Sequence, residues 1–275
     1  MRRVIVVLTD GLRPDAVTPS RMPSLRTLAD EYTQAVHART VRPSTTDAAL
    51  ATLATGVSPK SHGLIEPGLG FLSRLGQLRP LAREVARAGL RSEIVASDLP
   101  PVDRSVVWAV ASAAGVDRFV SRGRRARDVA DSALEVATDH PGGVLFVYLN
   151  DCDRAGHAHG WMSAEYLAAA AELDAAVGVL APLAERDLVL VLADHGGGGV
   201  TPNDHHEPHA VNDAIPLVLA GPDVARGRRL TRPVSILDVP PTICAWLGLD
   251  VPPGYEGRVL NDAFEAARRP ALVAG

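Results

Sequence analysis

The chain has 275 residues, which is enough for one large domain or two small ones and for a substantial hydrophobic core. Hydrophobic residues make up 47% of it, the formal net charge is −4, and no long lysine or arginine run occurs, so a surface that binds duplex nucleic acid is not expected. Aromatic residues are only 4%, too few for a base-stacking surface.

The N-terminal apolar run indicates a buried strand rather than a targeting segment. Residues 4–8, VIVVL, follow two arginines and end at Thr9 and Asp10. This run is too short for a signal peptide or a membrane span, so no membrane association is expected. The cysteines, Cys152 and Cys244, lie far apart and imply no disulfide framework, which favours a cytoplasmic, reducing location.

Apolar strand patterns alternate with amphipathic helix patterns along the chain. Runs rich in valine, isoleucine and leucine predict strands covered on both faces at 4–8, 92–97, 143–149, 188–193 and 216–221. Helix periodicity occurs at 22–36, 79–89, 164–185 and 234–248. This alternation predicts an α/β fold, a single domain over residues 1–275 in which helices flank a largely parallel central sheet. The glycine-dotted stretch 64–79 predicts a surface loop or small insertion, and the basic stretch 122–127 a solvated helix face.

Polar side chains follow three of the predicted strands. Asp10 follows the first strand, Asn150 to Asp153 follow the third, and Asp194 and His195 follow the fourth. Ligands of open parallel sheets bind beyond the carboxyl ends of the strands. The sequence therefore predicts a binding site at this edge of the sheet.

Histidines and aspartates cluster in the second half of the chain. Six of the nine histidines lie after residue 150, namely His157, His159, His195, His205, His206 and His209. Asp153 and His157 are four residues apart, close enough for one helical turn to aim both at one ion, and carboxylates with imidazoles are ligands that Zn²⁺ accepts. One such pair alone is more often a capped turn, and a histidine run is more often a surface loop. Several pairs that each follow a strand are improbable as independent turns and favour a metal site.

Three hydroxyl side chains, Ser44, Thr45 and Thr46, precede an alanine-rich helix pattern. A hydroxyl there can cap the helix by accepting a hydrogen bond from an unpaired N–H group. It can also be a nucleophile at a helix N-terminus, where N–H groups and the helix dipole favour an anionic substrate. Taken alone, the stretch favours the cap.

The segments VIVVLTDGLRPD, STTDAALATLATGVSPKSHG, DRAGH, ADHGG and DHHEPH…IPLVLAGP resemble, in this order, the alkaline phosphatase superfamily, with SILDVPPTICAWLGLDVPPGYEGRVL closing the series. The likeness is greatest to the nucleotide pyrophosphatase/phosphodiesterase branch and spans nearly the whole chain. It implies an alkaline phosphatase-like fold and a hydrolase with two divalent metal ions, zinc in the first place and manganese as the alternative.

The resemblance also implies roles for individual residues. The ligands of one ion are Asp10, Thr46, Asp194 and His195. Asp153 and His157 are two ligands of the other ion, and its third is a histidine before the IPLVLAGP strand. His205 fits the usual spacing best, His209 is the rival, and His206 fits least.

Thr46 lies at the position where the superfamily places its nucleophile, nine residues before Thr55, which implies a phosphothreonine intermediate. A free threonine hydroxyl is a poor nucleophile, and a metal ion would lower its pKa. Ser44 or Thr45 is then expected to orient the backbone beside it. The helix start can still be a cap, because the two roles are compatible.

One departure from the phosphodiesterase pattern concerns the substrate. Relatives place an asparagine soon after the SHG turn, where this chain has Pro67. Arg42 and Arg154 are the candidates to hold phosphoryl oxygens in its place, because a guanidinium can bind two oxygens at once. Both can equally be solvated surface residues. A strong arginine clamp would favour phosphomonoesters, which carry more charge than diesters.

The expected activity is hydrolysis of a small-molecule phosphodiester or phosphoanhydride. The alternatives are a phosphomonoesterase or phosphonate-ester hydrolase with the same site and, from another class, a catalytically silent metal-binding protein. A sulfatase is disfavoured because threonine occupies the nucleophile position. A mutase is disfavoured because the chain has no room for the domain that such relatives insert.

Overall fold

The computed structural model describes residues 2–64, 74–99, 101–139 and 142–266. The strands are β1 Arg3–Thr9, β2 Thr33–Ala35, β3 Ala38–Arg39, β4 Arg91–Ala96, β5 Arg118–Ser121, β6 Gly143–Leu149, β7 Leu188–Leu192, β8 Ala214–Ile215, β9 Leu217–Ala220, β10 Arg228–Leu230 and β11 Val234–Ser235. The helices are α1 Pro23–Glu31, α2 Thr46–Thr55, α3 Pro59–His62, α4 Leu81–Arg87, α5 Pro101–Ala113, α6 Ala126–Asp139, α7 Asp151–His159, α8 Ala164–Leu180, α9 Ala210–Asp213 and α10 Val239–Leu247.

The central sheet has the strand order β10-β2-β9-β7-β1-β6-β4-β5. The five consecutive strands β7, β1, β6, β4 and β5 are parallel to one another, whereas β9 runs antiparallel to β7 and β2 antiparallel to β9. A smaller sheet consists of β11, β3 and β8. The predicted α/β fold with a largely parallel central sheet is therefore confirmed.

The core lies between the sheet and two groups of helices. Helices α1, α6, α7 and α8 form one connected group, and α2, α4 and α10 form the other. All seven residues of β1 are buried, as expected for a central strand covered on both faces. This strand and its neighbours β6 and β7 carry the polar residues described below.

Two predicted helices begin or end elsewhere than the periodicity indicates. In the stretch 22–36 the helix ends at Glu31, and Thr33–Ala35 pairs instead with β9 and β10. In the stretch 234–248, Ser235 and Asp238 form a capping box, and α10 begins only at Val239. The sequence did not predict α5 or β5. Most of the predicted loop at 64–79, and with it Pro67, lies outside the described residues.

One described helical stretch, Ala164–Glu185, is long and apolar enough to cross a membrane by length and composition alone. It consists of α8 and a following 3-10 turn that contains Pro182. Helix α8 packs against α1, α6 and α7 and buries Tyr166 and Leu173 completely. This packing accounts for its composition as that of a core helix.

Candidate functional site

The carboxyl ends of three adjacent parallel strands bring the predicted ligand segments together. Asp10 directly follows β1, and Asp194 and His195 follow β7. Helix α7 begins immediately after β6 and carries Asp153 in its first turn. The backbone N–H of Asp153 donates to the carbonyl of Asp10 over 3.1 Å, which links the end of β1 directly to the first turn of α7.

A first group of ligand atoms comes from Asp10, Asp194 and His195, whose donor atoms lie within 4.8 Å of one another. His195 Nε2 is 3.2 Å from Asp10 Oδ1 and 3.7 Å from Asp194 Oδ2. Both of these carboxylate oxygens are buried and have no hydrogen-bond partner among the described residues. Buried polar atoms nearly always have a hydrogen-bond partner, so two carboxylate oxygens without one beside an imidazole fit a cation site.

The second oxygen of each carboxylate is held by a hydrogen bond. Asp194 Oδ1 accepts from the backbone N–H of Gly11 over 3.2 Å and of His195 over 3.0 Å. Asp10 Oδ2 accepts from the hydroxyl of Tyr148 on β6. These bonds fix both carboxylates so that their unpartnered oxygens face the same point.

A second group of ligand atoms surrounds Asp153 Oδ1, another buried oxygen without a hydrogen-bond partner. The Nε2 atoms of His157, His205 and His195 lie 3.4, 3.9 and 4.0 Å from it. Ligand atoms of Asp153, His195 and His205 also lie within 4.8 Å of one another, close enough to bind one ion. His195 therefore lies between the two groups, within reach of both.

The tautomer of each histidine follows from its Nδ1 partner, because a carbonyl oxygen can only accept. His157 Nδ1 is 3.1 Å from the Asn203 carbonyl, His195 Nδ1 is 2.7 Å from the Gly196 carbonyl, and His205 Nδ1 is 2.7 Å from the Ser44 carbonyl. Each Nδ1 thus carries its proton, and each Nε2 is the atom that can bind a metal.

The ionisable side chains of the two groups are buried close to one another, and this shifts their pKa values. Burial, followed by the charge of Asp10, raises the pKa of Asp194 to about 8 and that of Asp153 to about 6. Burial opposes ionisation of His195, but the negative charges of Asp194 and Asp10 outweigh it and raise its pKa to about 10. Burial also opposes ionisation of Asp10, yet the nearby His195 imidazole and the hydrogen bond from Tyr148 hold its pKa below the usual value. A cation at this point would balance the carboxylates and displace a proton from His195.

Thr46 is the first residue of α2, and its Oγ1 lies 3.1 Å from His195 Nε2. Its hydroxyl therefore faces the first group. The N-cap residue of this helix is Thr45, whose side chain makes no capping hydrogen bond. Ser44 is tied to the second group instead, because its hydroxyl donates to the His205 carbonyl over 2.8 Å while His205 Nδ1 donates to the Ser44 carbonyl. The hydroxyl-rich segment thus joins both groups.

The other three predicted residues, His209, Arg42 and Arg154, make hydrogen bonds to residues outside the two groups of ligand atoms. His209 is exposed and caps α9, its Nδ1 accepting from the Val211 N–H. The Arg42 guanidinium, about half exposed, lies 3.0 Å from Asp213 Oδ2, and the Arg154 guanidinium lies 3.1 Å from the Asp151 carboxylate. The structure brings Asp10, Thr46, Asp153, His157, Asp194, His195 and His205 together, and the substrate roles of Arg42 and Arg154 stay predictions.

Sequence reasoning missed Tyr148, which supports Asp10. A tyrosine near the end of an otherwise apolar strand, two residues before the polar segment, was the available signal. Burial and the negative charge of Asp10 raise the pKa of Tyr148, so its hydroxyl stays a donor. Outer-shell hydrogen bonds of this kind orient metal ligands.

Changing Tyr148 to phenylalanine is expected to weaken metal binding at the first group by about 10- to 100-fold, because Asp10 loses the bond that orients it. Competition with a chelator for bound Zn²⁺ measures this. The matched control is Tyr166→Phe, which removes a buried hydroxyl that donates to the Gly11 carbonyl rather than to a carboxylate. Equal effects of the two variants would contradict the role of Tyr148.

Changing His205 to alanine is expected to weaken binding of the second ion far more than the same change at His209. Outer-shell changes already cost about 10- to 100-fold in affinity, and loss of a direct ligand should cost at least the upper end of that range. His209→Ala should lose only a short helix cap. The stoichiometry of bound metal after dialysis distinguishes the variants, and a silent His205→Ala beside a damaging His209→Ala would show that His209 is the ligand.

The carboxylate and imidazole groups at the carboxyl ends of β1, β6 and β7 form a candidate metal centre on an α/β fold. The chain belongs to the type I phosphodiesterase/nucleotide pyrophosphatase family, whose model matches residues 4–230.

Known proteins similar to this chain include a phosphopentomutase from Methylobacterium radiotolerans, 30% identical over 185 residues that are 66% of this chain and 44% of the mutase. A 2,3-bisphosphoglycerate-independent phosphoglycerate mutase from Rhodopirellula baltica is 30% identical over 146 residues, 51% of this chain and 26% of the mutase. The chain thus spans less than half the length of these relatives.

Three solved structures share the fold. A phosphonate monoester hydrolase from Silicibacter pomeroyi matches with a TM-score of 0.70 and 17% identity over 94% of this chain and 76% of the hydrolase. Murine ectonucleotide pyrophosphatase/phosphodiesterase 5, solved as an inactive variant with AMP, matches with a TM-score of 0.73 and 15% identity over 96% of this chain and 100% of that chain. A protein of the alkaline phosphatase superfamily from Vibrio parahaemolyticus also matches, with a TM-score of 0.71 and 17% identity over 94% of this chain and 69% of that chain. The alkaline phosphatase-like fold is therefore confirmed.

Proposed function

We propose that this protein is a two-metal phosphoric ester hydrolase that cleaves a small-molecule phosphodiester or phosphoanhydride through a phosphothreonine at Thr46. The observation that carries the proposal is the convergence of three unpartnered buried carboxylate oxygens with three imidazole Nε2 atoms and the Thr46 hydroxyl. Membership of the phosphodiesterase family supports it.

The residues present fit two divalent ions. The donors for one are Asp10, Thr46, Asp194 and His195, and those for the other are Asp153, His157 and His205. Mixed carboxylate and imidazole donors suit zinc, with manganese as the alternative. Bound at these positions, two such ions would lower the pKa of the Thr46 hydroxyl and offset charge on the phosphoryl oxygens.

The chain's own residues then have separate tasks. Thr46 Oγ1 gives up its proton to solvent water and attacks phosphorus. The bond from phosphorus to the leaving oxygen breaks, and the leaving group takes up a proton from water as it departs. The N-terminus of α2, where Thr46 stands, favours the phosphoryl anion through its free N–H groups. Water then attacks the phosphothreonine, which releases phosphate or a phosphate monoester and restores the Thr46 hydroxyl.

A phosphomonoesterase or phosphonate-ester hydrolase with the same site is the second candidate. Arg42, which lies four residues before Thr46, is the observation that favours it. Its guanidinium is held by Asp213 and keeps about half of its surface in solvent, where it can meet a doubly charged monoester.

Metal analysis and a paired assay test the proposal. About two divalent ions per purified chain are expected, and chelation should lower the melting temperature because the ions bind only the folded state. Turnover of bis-p-nitrophenyl phosphate above that of p-nitrophenyl phosphate, with added Zn²⁺ or Mn²⁺, would support the diesterase, and the reverse order the second candidate. A fully active metal-free preparation would refute both.

A further inference from the structure

Trp161 lies in the short connection between α7 and α8 and touches segments from all over the site. Its side chain is almost fully buried. Its indole Nε1–H donates to the Gly11 carbonyl over 2.9 Å, next to Asp10, and its backbone N–H donates to the Pro202 carbonyl over 2.7 Å. One residue therefore joins the loop after β1 to the loop after β7.

The Trp161 ring fills space that three glycines leave open. A Cβ atom added at Gly156 would lie 2.6 Å from the ring, one at Gly198 would lie 2.7 Å from the Trp161 Cβ, and one at Gly197 would overlap the ring more closely still. Gly156 stands between Asp153 and His157, and the other two glycines follow His195 closely. The indole thus packs directly on the backbone of two ligand-bearing segments.

The same ring contacts two of the imidazoles of the second group. The ring centroids of Trp161 and His157 are 5.1 Å apart at an interplanar angle of 80°, and those of Trp161 and His205 are 5.6 Å apart at 66°. Such edge contacts fix ring orientation. His157 depends on this contact most, because its side chain is 42% exposed and its Nδ1 bond to the Asn203 carbonyl is 3.1 Å long. His205, in contrast, is buried, and its Nδ1 lies 2.7 Å from the Ser44 carbonyl.

We propose that Trp161 is a positioning residue that sets His157 and His205 for the second metal ion, an inference that rests on the proposed function. The first group has supports that do not involve the indole, namely the Tyr148 hydroxyl on Asp10 and the His195 N–H on Asp194. The Gly11 carbonyl also keeps a second donor, the Tyr166 hydroxyl, when the indole is lost. Loss of the indole should therefore act on one ion and spare the other. A merely structural residue would affect both ions alike.

The test is the affinity of each of the two ions in Trp161→Phe, which keeps an aromatic ring and loses the indole N–H and the second ring. Chelator competition should show the second Zn²⁺ bound about 10- to 100-fold more weakly while the first is unchanged. The matched control is Trp246→Phe, because Trp246 is as buried but stacks on Phe264 away from the groups. That variant should bind both ions as the wild type does.

Fluorescence supplies a readout that a structural role would not move. The chain has three tryptophans, so changing Trp108 and Trp246 to phenylalanine leaves Trp161 as the sole tryptophan. Its emission should change in step with binding of the second ion and not of the first. Two ions bound by the wild type with unchanged affinities in Trp161→Phe, or with equal losses of both, would overturn the positioning role and leave the proposed function standing. A wild type that binds no ion would overturn both.

Discussion

Replacing Thr46 with alanine is expected to lower turnover by about 10⁴- to 10⁶-fold, the range that removal of a catalytic nucleophile or its partners costs in other hydrolases. The fold and most of the bound metal should remain, because Asp10, Asp194 and His195 still offer three ligands to the first ion. A plain helix cap predicts a different loss, about 1 kcal/mol of stability with turnover largely intact. Steady-state kinetics and thermal unfolding of the same preparation separate the two roles.

The neighbouring residues supply the controls for this variant. Thr45→Ala should be close to wild type, since the Thr45 side chain caps nothing, and Thr46→Ser should keep part of the activity because it keeps a hydroxyl. Acid-quenching the wild type during turnover should give a peptide with phosphate on Thr46. If Thr46→Ala has near-normal turnover and Thr45→Ala is inactive, the nucleophile is Thr45. Full activity of both variants would mean that water attacks phosphorus directly.

The central strands could be predicted because buried parallel strands have a distinctive composition. Each of the five apolar runs lies within one or two residues of an observed strand. The shortest strands could not be predicted in this way. Thr33–Ala35 is a strand because β9 and β10 flank it, and its residues continue the periodicity of α1. Tertiary pairing overrides local pattern in segments this short.

The residues of the candidate site likewise include some that the sequence could predict and some that it could not. Asp10, Asp153 and Asp194 follow strands that are neighbours in the sheet, so the rule for ligand positions in parallel sheets was enough to group them. The choice between His205 and His209 depended on a loop without periodicity, where the two-way bond with Ser44 holds His205 in place. Supporting residues such as Tyr148 could not be predicted from the sequence, because their hydrogen-bond partners are distant along the chain.

Replacing Asp194 with asparagine is expected to remove the first metal ion and to lower activity by orders of magnitude without destabilising the metal-free fold. Asparagine keeps the Oδ1 atom that accepts from Gly11 and His195. It replaces the unpartnered oxygen that faces His195 Nε2 with an NH₂ group, which cannot bind a metal ion. Metal content, turnover and melting temperature with and without a chelator measure the three effects.

The matched control is Asp187→Asn, a change at another buried aspartate whose charge is balanced by Arg3 at 2.6 Å. That variant weakens a buried ion pair and should cost about 3–5 kcal/mol of stability. Its metal content should be unchanged, because Asp187 lies outside both groups of ligand atoms. The two aspartates are thus expected to show opposite patterns, metal loss at one and stability loss at the other.

The pH dependence of stability gives the sign of the Asp194 effect. The pKa of Asp194 is raised from 3.8 to about 8 in the folded chain. An acid with a raised folded pKa binds more protons in the folded state than in the unfolded state, so its contribution to stability falls as pH rises between those two values. Metal-free wild type should therefore lose melting temperature from about pH 4 to about pH 8 relative to metal-free Asp194→Asn. Added Zn²⁺ should remove that difference in the wild type, because the ion takes the place of the proton. If the melting temperatures of the two metal-free proteins change with pH in the same way across this range, the carboxyl group of Asp194 does not have the raised pKa that metal binding would lower.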